Sequence, residues 1–125
     1  MRKELLTGLF LSLTATMLAH PAIDVSINPD YTAKTIEVVY KHVVTGGKDK
    51  HFIDEVKIKL NGKQIITQIL SIQDGDKGGV VKYLIPELKN GDTIVADTRC
   101  NKGGNKSGQI GTGLKEVKKA ENTKE

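Results

Sequence analysis

Phe52-Ile53-Asp54-Glu55-Val56-Lys57-Ile58-Lys59-Leu60-Asn61-Gly62-Lys63-Gln64-Ile65-Ile66 is the stretch that decides the fold. Ile53, Val56, Ile58 and Leu60 are set among Asp, Glu and Lys, the alternation of a strand with one face in a core and one in water. Asn61-Gly62 then offers a two-residue turn. A tight hairpin needs positive φ at both central positions, and Asn followed by Gly tolerates that best. Gln64 to Ile72 reads as the returning partner strand.

Working outward, the same pattern recurs in short pieces. Ile23 to Ile27 alternates apolar and polar until Asn28-Pro29-Asp30, which reads as a break. Thr35 to Tyr40 is a β-branched run, and Val80 to Ile85 and Thr93 to Ala96 are further strands. A last strand is expected near Gln109 to Leu114. Turn residues separate them: Thr45-Gly46-Gly47-Lys48-Asp49, Asp74-Gly75-Asp76, Gly78-Gly79 and Asn90-Gly91-Asp92. Seven short strands, with turns about every ten residues, predict an all-β, immunoglobulin-like β-sandwich. Lys115 to Glu125 is a charged run without core residues and is expected to be disordered.

The first residues follow a different logic. Met1-Arg2-Lys3-Glu4 is basic overall, and Leu5 to Leu18 is apolar apart from Thr, Ser and Gly. That order is the pattern of a secretory signal. The run is short of the roughly 20 apolar residues a membrane span needs. A cut after Ala19 leaves His20-Pro21 as the new N-terminus, although Met17 is larger than the residue usual at that place, and an uncleaved anchor is the alternative. The layout expected is therefore a signal peptide over 1–19, a sandwich domain over 20–114 and a tail over 115–125. The protein is expected to be exported, periplasmic or extracellular, and not membrane-spanning once cut.

Composition narrows the function classes. Nineteen Lys and Arg stand against fifteen Asp and Glu, a net charge of +4 and a pI near 9.1. The two signs are interspersed, and aromatics make up 4% of the chain, so there is no stacking platform for single strands and no nucleic-acid partner is expected. A single cysteine, Cys100, excludes an internal disulfide. It is buried, paired with another chain, or bound to something, so a protein partner or a homodimer stays open.

The chain has three histidines, His20, His42 and His51, and with Cys100 they make four ligands of the type that suits iron, copper or zinc. His42 closes the second strand and His51 opens the third, so the loop between them can bring two imidazoles to one end of a sandwich. Cys100 precedes Asn101-Lys102-Gly103-Gly104 and reads as a loop residue.

Taken in order, His20-Pro21, Lys41-His42-Val43, His51-Phe52-Ile53-Asp54-Glu55-Val56 and Cys100-Asn101-x-Gly103-Gly104 resemble the superoxide reductases, the desulfoferrodoxin and neelaredoxin iron domains. The resemblance runs from His20 to about Gly104. It implies an immunoglobulin-like sandwich holding mononuclear non-haem iron, with His20, His42 and His51 as equatorial ligands and Cys100 as the axial thiolate. It also implies an oxidoreductase that reduces superoxide to peroxide, with a small oxygen species and an electron-donor protein as partners. Two departures stand out: Gly103 occupies the place of the family's fourth histidine, and the His42–His51 loop is longer and lacks the family's proline. Lys48 and Lys50 in that loop are candidates for a positive charge near an anion. A freed N-terminal His20 offers amine and ring nitrogen together, which makes copper the alternative metal and a copper-binding protein an alternative reading. A further alternative is a non-catalytic sulfur carrier. Lys50 to Lys63, with its Asn-Gly-Lys turn, and Thr45-Gly46 also resemble the Z-type subunit of thiosulfate oxidation.

Overall fold

The computed structural model describes residues 20–111. The expected signal peptide, the charged tail and the end of the last expected strand lie outside those residues. Among the described residues there are seven strands and no helix. They are β1 (Asp24–Asp30), β2 (Thr35–Lys41), β3 (Ile53–Leu60), β4 (Lys63–Ile69), β5 (Gly78–Leu84), β6 (Ile94–Cys100) and β7 (Asn105–Ile110). No helix in the described part is long and apolar enough to cross a membrane.

Two antiparallel sheets form the sandwich, one in the order β1-β2-β5 and the other β4-β3-β6-β7. The decisive hairpin is present: Asn61 and Gly62 take φ of 51° and 86°, and Leu60 pairs with Lys63. This turn keeps the fourth strand beside the third instead of sending it across to the other sheet. Alternate residues then meet between the sheets. Val25 and Ile27 of β1 and Ile36, Val38 and Tyr40 of β2 face Val56, Ile58 and Leu60 of β3 and Ile94 and Ala96 of β6. Each fully buried Ile or Val contributes about 1.5–3 kcal/mol of hydrophobic stabilisation.

The boundaries differ from the sequence reading in instructive ways. β1 runs through Asn28-Pro29-Asp30. It is an edge strand, and there a proline's missing N–H is tolerated. β4 stops at Ile69, whereas β6 reaches Cys100 and β7 begins at Asn105. Cys100 is therefore the last residue of a strand, buried at 1% exposure, and not a loop residue. In β3 the apolar positions change phase between Ile53 and Val56. A register shift between Ile53 and Glu55 absorbs the change, so both side chains reach the core.

The pairing also fixes what lies at one end of the sandwich. Asp24 pairs with Lys41, and Ile53 with Cys100. The residues before β1, after β2, before β3 and at the end of β6 converge there. Those positions hold His20, His42, His51 and Cys100.

Candidate metal centre

The three imidazoles form a triangle, with each pair of ring centroids 4.8 Å apart. One ligand atom from each of His20, His42 and His51 lies within 4.8 Å of the others. Three nitrogens spaced evenly around one ion stand about 3.5 Å apart at ordinary bond lengths, so the triangle must close by roughly 1 Å to hold one. Cys100 is not part of that triangle and borders it at His51, whose Nε2 is 3.1 Å from Sγ. Cis nitrogen and sulfur ligands on one ion are separated by about 3.1 Å. The donor set of three imidazoles and a thiol fits a first-row transition metal of iron, copper or zinc type.

His42 is fully buried, and its orientation is set by a residue the sequence did not flag. Gln73, also buried, places Oε1 2.7 Å from Nδ1 of His42. The amide cannot be turned round: its Nε2 donates to the carbonyls of His42 and Gly75, both at 2.7 Å, while Oε1 also accepts from Ile53 N–H. Nδ1 of His42 must therefore carry the proton that it donates to Gln73. Its Nε2 lies 3.2 Å from the His20 carbonyl oxygen. A carbonyl or amide acceptor behind the ring is how proteins hold a ligating histidine in one tautomer. Gln73 lies in the segment after β4 with no periodicity or motif to mark it. Only its company, His42 and Lys48, gives it a role, with its N–H bonded to the Lys48 carbonyl.

His51 is bracketed from the other side. Asn101 donates through Nδ2 to the Lys50 carbonyl and accepts the Phe52 N–H on Oδ1, so one side chain holds the backbone on both sides of the histidine. The Asn101 N–H adds a bond to the Phe52 carbonyl. Burial pushes the His51 imidazole below its usual pKa, and the nearby His42, His20 and Lys102 act in the same direction. A ring kept neutral is a ring that can ligate.

Cys100 sits at a tight turn in which its N–H reaches the Gly104 carbonyl and the Gly103 N–H returns to the Cys100 carbonyl. The Lys102 N–H points at Sγ from 3.4 Å. Gly103 and Gly104 both have positive φ. At Gly104 the space is also closed: a Cβ there would lie 2.9 Å from Cδ and N of Pro21. Gly104 thus lets the turn close on Pro21 and hold His20 over the cluster. Of the two loop lysines, Lys48 is engaged with the Asp74 carbonyl. Lys102, which the sequence reading passed over, is the lysine whose charge acts on His51.

Fold and cluster together define a class: a seven-stranded β-sandwich whose histidines, gathered at one end, could hold a metal ion. No family model matches the chain, and no curated protein does. Among solved structures, a superoxide reductase (1Fe-SOR) from Giardia intestinalis is similar, with a TM-score of 0.54 at 13% identity, over 74% of this chain and 99% of that one. At that identity the likeness is one of fold.

Proposed function

We propose that this protein is an exported metal-binding domain whose mononuclear centre, iron in the first instance, is held by His20, His42, His51 and Cys100 and reduces superoxide to peroxide. The observation that carries the reading is the convergence of three imidazoles and a thiol at one end of a sandwich. The fold it shares with a one-iron superoxide reductase supports the choice of iron. Export rests on Arg2-Lys3 followed by the apolar run to Leu18.

A ferrous ion held there would supply one electron to superoxide, which takes up two protons and leaves as hydrogen peroxide. The chain's own residues do the rest. Gln73 fixes His42 so that Nε2 faces the cluster, and Asn101 fixes the backbone on both sides of His51. The Lys102 N–H stabilises negative charge on Sγ. Gly103 leaves one flank of the cluster without a side chain, and Lys102 beside it supplies the positive charge that draws a small anion.

The test is metal content and the absorption spectrum of the exported protein, followed by a superoxide reduction assay with an electron donor. One iron per chain, a visible thiolate band and superoxide-dependent oxidation are expected. Iron without superoxide turnover would leave a metal-binding domain and refute the reductase. Stoichiometric copper in place of iron would shift the function to copper handling through His20.

A further inference from the structure

The cluster offers three imidazoles with Cys100 beside them, and the geometry around His20 points to a further donor. His20 is attached to the fold through Pro21, which is pinned against Gly104. Ala22 is buried, and the Ile23 N–H bonds to the Lys41 carbonyl. The backbone of His20 is therefore held at the cluster and not merely its ring: its carbonyl oxygen is 3.2 Å from Nε2 of His42. The backbone nitrogen of His20 is three covalent bonds from that oxygen.

In the unprocessed chain that nitrogen belongs to the Ala19–His20 peptide bond. Its lone pair is delocalised into the carbonyl, which makes it a poor ligand. A cut after Ala19 converts it into a primary amine. An α-amine and Nδ1 of the same histidine close a six-membered chelate ring on one ion. Nδ1 of His20 is free to turn, since its contact is an exposed 3.2 Å hydrogen bond to the neighbouring Pro21 carbonyl.

We propose that removal of residues 1–19 creates a ligand: the freed α-amino group of His20 joins His20, His42, His51 and Cys100, and maturation completes the metal site. The inference rests on the metal-binding reading above and adds its regulation. The precursor binds metal weakly, and the processed chain binds it firmly in the compartment to which it has been exported.

Cobalt(II) alone is the probe, because it reports thiolate ligation by its charge-transfer band and does not readily displace amide protons near neutral pH. Three exported chains are titrated, each ending at Glu125: the wild type, a form with Gly-Ser added ahead of His20, and His20→Ala. Mass spectrometry fixes each N-terminus. The wild type is expected to begin at His20 and bind one ion. The extended form should bind at least roughly 10–100-fold more weakly, since the loss of even a group that only supports a ligand costs that much, while still developing the thiolate band at saturation. His20→Ala, which keeps the amine and loses the ring, should also weaken binding. Equal affinity of wild type and extended form, or a mature chain that starts elsewhere, overturns the amine ligand and leaves the metal reading standing. Failure of every form to bind cobalt overturns the metal reading itself.

Discussion

Nε2 of His51 stands 3.1 Å from Sγ of Cys100, joining the entrance of β3 to the exit of β6. The contact depends on the register shift after Ile53, which pairs Ile53 with Cys100 and leaves Asp54 outside to hold Arg99 through two bonds of 2.9 and 3.1 Å. A regular strand would turn Ile53 away from the core and out of its pairing with Cys100.

Cys100→Ser tests the thiolate. The change is nearly isosteric, so the sandwich should fold, and the three imidazoles should still collect a metal ion with reduced affinity. Any thiolate-to-metal charge-transfer band should vanish. An unchanged visible spectrum in the metal-loaded variant would remove Cys100 from the ligand set.

Gln73→Ala should be the most damaging single change near the cluster. It strips partners from the His42 carbonyl, the Gly75 carbonyl, the Ile53 N–H and His42 Nδ1. Unsatisfied buried groups cost about 1–3 kcal/mol each, so a loss of about 3 kcal/mol or more is expected in denaturant unfolding. Gln73→Glu separates stability from orientation. It keeps an acceptor for His42 and loses the two donors, so metal affinity should suffer less than in Gln73→Ala.

Much of this architecture was legible in local sequence, and the rest was not for physical reasons. Asn61-Gly62 and the flanking alternation specify a hairpin without help from the rest of the chain. The four candidate ligands were visible too, because His and Cys are rare here. Pro29 misled, since proline breaks a central strand but not an edge, and edge position is a property of the whole sheet. Cys100 looked like a loop residue because the glycines that follow it are local, whereas its partner Ile53 is far away in sequence. Gln73 was invisible for the same reason: its four hydrogen bonds exist only once two loops have packed together.

Asn101→Ala should loosen His51 without emptying the core. The residue is half-buried, and its side chain serves the backbone of Lys50 and Phe52. A roughly 10–100-fold drop in metal affinity is expected, with a stability loss near 1 kcal/mol per bond removed. Titration with cobalt and a denaturant melt on the same sample check both numbers. A full stability loss with unchanged affinity would show that Asn101 braces the fold and not the histidine.

Gly79→Ala provides a control away from the ligands. Gly79 lies opposite Tyr40 in the β2–β5 pair, and a Cβ there would come within 2.7 Å of the Tyr40 ring carbon Cζ. Tyr40 is buried, so its ring has little room to yield. Overpacking of this kind costs about 1–3 kcal/mol. Thermal unfolding should reveal that loss while the metal affinity of the folded protein stays close to wild type.

The pH dependence of the metal-free protein follows from His51. Its folded pKa lies below the usual value, chiefly through burial and then through His42, His20 and Lys102. The unfolded chain therefore takes up a proton at this site more readily than the folded one. Wherever the unfolded state binds more protons, stability rises with pH. The His51 contribution is thus fully present above the unfolded value of about 6.5, and it is lost as pH falls from there through the folded pKa. Denaturant midpoints measured from pH 8 to pH 5 should decline across the lower part of that range. His51→Gln, which cannot titrate, should flatten the decline, and a wild-type slope in that variant would mean that another group carries it. Metal affinity should fall in the same window, because a proton and a metal ion compete for one lone pair.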